Sequence, residues 1–351
     1  MEDKIEIKSY NESIFNAIAL KKGSQYFREI KKDWKYKVYN PKIRTHCSHL
    51  TIQFNTSLNE ETGEITKSLF IIGSLRKWYF GQLSFQDFTE ITYRKALKLF
   101  AHTIGISLEE LRSFTLSSIE IGINCRMDVD INYIKKGIYQ FRDKRYQKKY
   151  DVTSIKFKSK KGIVTLKIYD KYQEIYDKCI NKRIKSYEEE EFIKMHQHEN
   201  NIRIELSLRG GQDLINKTLF RLRKDTKITI GTTIEHFDTL YTFFWMEVQK
   251  IKVSALGGLK EPQPRKSKDI NTYTTAYYIE KEGIEAYKRI TKKLSNRGYY
   301  KQSLHKALQQ FINLRQAYNQ KRFLQNIRCR LYCLIGKDRK ISRHKELIPY
   351  P

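Results

Sequence analysis

The chain has 351 residues, 68 of them Lys or Arg and 39 Asp or Glu, for a formal net charge of +29. Hydrophobic residues make up 40% and aromatics 13%, enough for a substantial core in two or three domains. The five cysteines (Cys47, Cys125, Cys179, Cys329 and Cys333) are odd in number in a long chain, which argues against a disulfide framework; reduced core thiols are expected. No run approaches the ~18 apolar residues of a membrane span, and Met1–Ile7 is charged, so a cytoplasmic protein with no membrane partner is expected. So large a positive charge calls for a polyanion. Nucleic acid is the commonest, because each neutralised phosphate releases condensed counterions.

In chain order, His49–Asn55, Ser117–Asn124, Ile163–Lys171 and Ile202–Arg209 alternate apolar and polar residues at period two and read as strands. Phe85–Leu111 reads as one or two helices around Ala96–Phe100, Ile131–Arg142 as another, and Lys178–His198 as a charged helical connection. The pattern predicts an α+β fold: an antiparallel sheet covered by helices on one face, followed by a basic helical C-terminal domain. The expected boundaries are a catalytic domain over 1–255, a linker over 256–275 with Gly257, Gly258, Pro262 and Pro264, and a basic DNA-binding region over 276–351. Residues 286–345 hold 17 Lys and Arg against one acid, Asp338, interleaved with aromatics such as Tyr299, Tyr300 and Phe323. A few lysines would be a solvated face; this concentration argues for nucleic-acid contact.

If the strands share a sheet, their polar sides share a face. Ser118, Glu120, Gly122 and Asn124 would then stand beside Thr165, Lys167, Tyr169 and Lys171, and beside Arg203, Glu205, Ser207 and Arg209. A solvated sheet face explains any one strand. It explains less well why Glu120 and Glu205 each sit alone among apolar neighbours. Two carboxylates from two strands suit Mg²⁺ or Mn²⁺, hard cations that take oxygen ligands, and such an ion acts as a Lewis acid on a phosphate. Tyr169 is a candidate nucleophile. A free phenol titrates near pH ~10, so it needs a neighbour that favours the phenolate, and Lys171 is the nearest expected cation. Most Tyr-x-Lys triplets in strands are structural, and Tyr172 and Tyr176 follow closely.

Four blocks carry a family resemblance. They are Gly73-Ser-Leu-Arg-Lys-Trp-Tyr-Phe-Gly81 followed by Phe85-Gln-Asp-Phe88, Ile119-Glu-Ile121, Leu166-Lys-Ile-Tyr-Asp-Lys-Tyr-Gln-Glu174, and Ile202-Arg-Ile-Glu205. Together, over roughly residues 65–250, the chain resembles the gene II type replication proteins of filamentous phages and related phage and plasmid rolling-circle initiators. Glu120 stands where that family has Asp. There is no His-hydrophobe-His motif; His46 and His49 flank a strand start but are left out of the metal set.

The resemblance implies origin-specific nicking and rejoining of DNA by transesterification. Tyr169 would form a 5′-phosphotyrosine link and release a 3′-OH. Lys171 and Arg203 would stabilise the transition state, with Mg²⁺ or Mn²⁺ on Glu120, Glu205 and Glu174. Arg76, Lys77, Lys167, Arg209, Lys292, Lys293 and Arg297 would hold the backbone. The implied partners are single-stranded or extruded double-stranded origin DNA and host helicase and polymerase; a homodimer is left open. The plainer expectations are a solvated Glu174 and an Arg203–Glu205 ion pair. Three competing readings are a non-catalytic origin-binding protein or repressor, an RNA-binding protein, and a tyrosine recombinase. The last lacks its Arg…His-x-x-Arg…Tyr set, since His305 is followed by Lys306–Leu308.

Overall fold

The computed structural model describes residues 2–253 apart from 22–26, 33–35, 42–48, 59–61, 128–130, 144–145, 151–153, 160–163, 181–185 and 198. Beyond these it describes 320–335 and isolated helical positions from 274 to 289. Most of the linker and of the basic C-terminal region, and His46, lie outside the described residues.

The chain opens with β1 (Glu2–Ser9) and α1 (Glu12–Leu20), whose N-cap Asn11 accepts from the Ser13 and Ile14 amides. Four strands follow, β2 (Phe27–Lys32), β3 (Tyr36–Pro41), β4 (Leu50–Leu58) and β5 (Ile65–Ser74). Then come α2 (Leu75–Phe80), α3 (Glu90–Ile104), α4 (Leu108–Arg112) and the long β6 (Thr115–Arg126). The segment expected to be one helix over Ile131–Arg142 is a short α5 (Ile131–Gly137) that turns into β7 (Ile138–Phe141). Strands β8 (Tyr146–Tyr150), β9 (Ser154–Ser159) and β10 (Val164–Asp170) lead into α6 (Lys171–Ile180) and α7 (Tyr187–His196). After β11 (Asn201–Arg209) come α8 (Gln212–Ile215), extended by a π-helical turn at Asn216–Phe220, α9 (Ile230–Glu235), α10 (Phe237–Val248) and β12 (Ile251–Val253). A last helix, α11, spans 320–335.

Ten strands form one sheet in the order β2-β3-β4-β5-β1-β6-β11-β10-β9-β8, and every neighbouring pair is antiparallel; β7 and β12 pair separately. The fold is therefore α+β with an antiparallel sheet. Period-two alternation gives the sheet a buried apolar side, with Ile5 and Ile7, Ile119, Ile121 and Ile123, Leu166 and Ile168, and Ile204, Leu206 and Leu208 in one core. Residues of α3, α9 and α10 close this core, and so do Phe323, Ile327, Leu331, Leu334 and Ile335 of α11. The described helix at 320–335 thus shares a core with the strands and helices before residue 255. Gln320 reinforces the join by receiving the Val253 amide at 2.8 Å.

Because neighbours alternate in direction, β5, β6 and β10 all finish at the same end of the sheet, where β11 begins. Two helices leave from that end. Gly73 adopts φ +146°, and a Cβ there would collide with His49 O at 1.9 Å, so glycine is required for the turn out of β5. Ser74 then caps α2 by accepting from the Lys77 amide at 3.1 Å. On the other side, Asp170 Oδ1 accepts from the Gln173 amide at 2.9 Å and starts α6. Lys171 is therefore the first residue of a helix, where the sequence pattern placed it on the strand. A small second cluster, Ile175, Cys179 and Phe192, packs α6 against α7 outside the main core.

Candidate functional site

β6, β11 and β10 lie side by side in that order, and register fixes their polar faces. On β11, Arg203 pairs with Asn124 on one side and Tyr169 on the other. Glu205 pairs with Gly122 and Lys167, and Ser207 with Glu120 and Thr165. β9 extends the face with Lys156 opposite Lys167 and Lys158 opposite Thr165, and β1 adds Lys4 opposite Glu120. Directly paired residues point to the same side, so side chains from five strands share one surface.

That surface holds a cavity of about 350 Å³ with Tyr169, Glu205, Glu120 and Glu174 in its walls. Six cations also line it: Lys4, Lys77, Lys156, Lys158, Lys167 and Arg209. The Tyr169 hydroxyl donates to Glu205 Oε1 at 2.7 Å. Lys167 Nζ sits 4.5 Å from the centre of the Tyr169 ring. Tyr169 is only 5% exposed and Glu205 6%, so the phenol forms the inner wall of the cavity.

Beneath it runs a buried polar chain. Arg203 Nε donates to the same Glu205 oxygen at 2.7 Å, and its Nη1 reaches Asp87 Oδ1 at 3.0 Å. Asp87 also receives the Asn124 amide N–H at 2.8 Å, Asn124 Nδ2 at 2.9 Å and Arg330 Nη2 from α11 at 3.1 Å. Gly122 makes room for this chain. A Cβ there would lie 2.9 Å from Arg203 Nη2, 3.0 Å from Ile204 O and 3.1 Å from Glu205 Cγ. Gly122→Ala should therefore lower stability by about 1–3 kcal/mol, measured as a fall in melting temperature; an unchanged value would show that Arg203 has slack.

A second ion cluster lies at the ends of α2 and α6. Glu174 meets Lys77 at 3.1 Å and also pairs with Lys171 and Lys178. Burial acts to raise the Glu174 pKa, but Lys171, then Lys77 and Lys178, outweigh it and hold the carboxyl well below its usual 4.5. Burial pulls fully enclosed Lys171 down to about 7. Glu174 opposes that shift, while Arg76, Lys77 and Arg203 add to it. The sign for Glu174 is that of a depressed acid: its stabilisation is complete above its unfolded pKa and lost as pH falls below it. The melting temperature should therefore decline between pH ~5 and ~3, and Glu174→Gln should flatten that decline while lowering stability at neutral pH.

Several expected roles change with this placement. Arg203 is fully buried and held by Glu205 and Asp87, so it positions the carboxylate and does not face the cavity. Lys171 is likewise buried, paired to Glu174, and 6.0 Å from the Tyr169 ring centre. Arg76 is buried too, its Nη1 clamping Ser84 O and Gln86 O at 3.1 Å each, which removes it from any backbone-binding surface. Lys77, Lys167 and Arg209 do line the cavity. Lys292, Lys293 and Arg297 lie outside the described residues.

The three carboxylates expected to share an ion each have protein partners in this structure. Glu174 is neutralised by three ammonium groups, and the Glu205 oxygen is engaged by Arg203 and Tyr169. Glu120 accepts from Ser207 at 2.7 Å. Among the described residues, no three His, Cys, Asp or Glu side chains come together as a metal site.

Sequence reasoning assigned no role to Asp87, Asn124, Lys4, Lys156, Lys158 or Arg330. The alternation Lys4-Ile5-Glu6-Ile7-Lys8 was a usable signal for β1. Nothing local marks Asp87, whose partners lie 37, 116 and 243 positions away. Compared with known proteins, the chain matches no family model and no curated protein.

Proposed function

We propose that the protein is a rolling-circle replication initiator that nicks and rejoins origin DNA through Tyr169. The reading rests on one observation above others: the Tyr169 hydroxyl is hydrogen-bonded to Glu205 at 2.7 Å in the wall of a lysine-lined cavity. A nucleophile needs a proton acceptor in contact with it, and a phosphodiester needs cations around its oxygens. Both are supported by the placement of these residues.

In the proposed reaction the phenolic proton passes to Glu205 as Tyr169 Oη attacks phosphorus. The bond from phosphorus to the 3′ oxygen breaks, and that oxygen takes a proton from solvent. A 5′-phosphotyrosine and a free 3′-OH result, and host polymerase extends the latter behind a host helicase. Lys167, Lys77, Lys156 and Lys158 neutralise the charge on the pentavalent transition state. Rejoining is the reverse attack by a 3′-OH.

The test is incubation with labelled single-stranded origin DNA, with and without Mg²⁺ or Mn²⁺. The resemblance calls for these ions, whereas the carboxylates' existing partners argue against them. A protein–DNA adduct that survives denaturant supports nicking. Binding without any adduct supports the second reading, a non-catalytic origin-binding protein, which the 5% exposure of Tyr169 favours.

A further inference from the structure

A second cavity, of about 770 Å³, opens at the Asp87 end of the Asp87–Arg203–Glu205 chain. Its size lies within the ~300–1,000 Å³ range of small-ligand sites. Its character differs from the lysine-lined one. Phe80, Phe85, Phe192 and His196 form an aromatic wall, with ring centres 5.2 Å apart for Phe85–Phe192, 5.0 Å for Phe85–His196 and 4.6 Å for Phe192–His196. Its cations are few and already engaged: Arg330 with Asp87, and Arg126, 73% exposed, 3.6 Å from Glu199.

Two residues lining it carry buried polar atoms without a partner among the described residues. Asn124 is 4% exposed and donates to Asp87 and to Phe85 O, which leaves its Oδ1 a buried acceptor with no partner among the described residues. Arg330 Nε is a buried donor in the same condition. A phosphate would want the lysines of the first cavity. A flat aromatic ring suits this one, since bases stack on aromatic side chains.

We infer that this cavity receives an unpaired nucleobase of single-stranded DNA, adjacent to the phosphate placed at Tyr169. The inference rests on the nicking proposal for its choice of polymer. It adds a base-recognition site joined to the tyrosine by three buried side chains: Asp87 to Arg203 at 3.0 Å, Arg203 to Glu205 at 2.7 Å and Glu205 to Tyr169 at 2.7 Å.

The experiment is equilibrium binding of short single-stranded oligodeoxynucleotides carrying one 2-aminopurine, moved position by position. One position should show quenching by stacking. Phe85→Leu, which keeps an apolar half-buried side chain, should relieve the quenching and weaken binding about fivefold or more. An abasic site at that position should weaken the wild type equally and Phe85→Leu no further. Arg126→Gln, on an exposed side chain, should weaken binding at the same position and guards against misfolding of the first variant. Position-independent binding that neither variant alters would overturn the base site while leaving nicking intact. Cavity-dependent binding with no covalent adduct would sink nicking and leave the base site. No binding at all would overturn both.

Discussion

Replacing Tyr169 with Phe should abolish covalent attachment to DNA while leaving the fold and DNA affinity in place. The substitution removes one oxygen and with it the hydrogen bond to Glu205 Oε1. Arg203 Nε still occupies the carboxylate at 2.7 Å, so Glu205 keeps a partner and the stability loss should stay near 0.5–1.5 kcal/mol. The chemical loss is of another order. Deleting a nucleophile can lower turnover on the order of 10⁶-fold, which leaves no adduct on a denaturing gel. The neighbouring phenols are poor substitutes. The Tyr172 phenol is pushed up by burial, with Tyr176 and Asp170 adding to the shift, and its hydroxyl points to Ile193 O at 3.5 Å. If the adduct forms at the wild-type rate in Tyr169→Phe, the assignment is wrong, and peptide mapping of the linked DNA would identify the true residue. Glu205→Gln separates the roles within the site. It keeps the shape and loses the proton acceptor, so the adduct should form slowly with binding unchanged.

The portion of this site that was legible in the sequence is the portion governed by period two. Ser117–Asn124, Ile163–Lys171 and Ile202–Arg209 alternate cleanly, and antiparallel pairing leaves little freedom in which sides then face one another. The same rule misled at Lys171, where an Asp at the end of β10 caps a helix and ends the alternation one residue early. It also hid β7, whose few residues continue a helical pattern. Charge type was legible but charge placement was not. Arg76, Lys77, Lys171 and Arg203 look alike as sequence, yet Lys77 lines a cavity while the other three are enclosed. Burial of an ion depends on partners that meet only in the folded chain, as Asp87 and Arg330 do across 243 positions.

The largest effect on stability should come from Asp87→Ala. Both carboxylate oxygens of Asp87 are engaged: Arg203 and Asn124 Nδ2 share Oδ1, while the Asn124 amide and Arg330 share Oδ2. Its side chain and that of Arg203 are wholly inaccessible to solvent. Removing it takes one carboxylate from a buried guanidinium that also pairs with Glu205, and leaves a buried amide N–H that has lost its acceptor. Breaking a buried pair costs about 3–5 kcal/mol, against a total of about 5–15 kcal/mol for a typical domain. Denaturant unfolding should show a midpoint lowered accordingly with the slope unchanged. The contrast with Arg330→Gln tests the reason. That arginine is 28% exposed on α11, and its bond to Asp87 is one of four. Its loss should cost about 1 kcal/mol, because Arg203, Asn124 Nδ2 and the Asn124 amide still hold the Asp87 carboxylate. Equal losses for the two variants would mean that α11, not the Asp87–Arg203 pair, holds the polar chain together. Asp87 would then be only its docking point, and the link from the aromatic cavity to Tyr169 would run through the C-terminal helix.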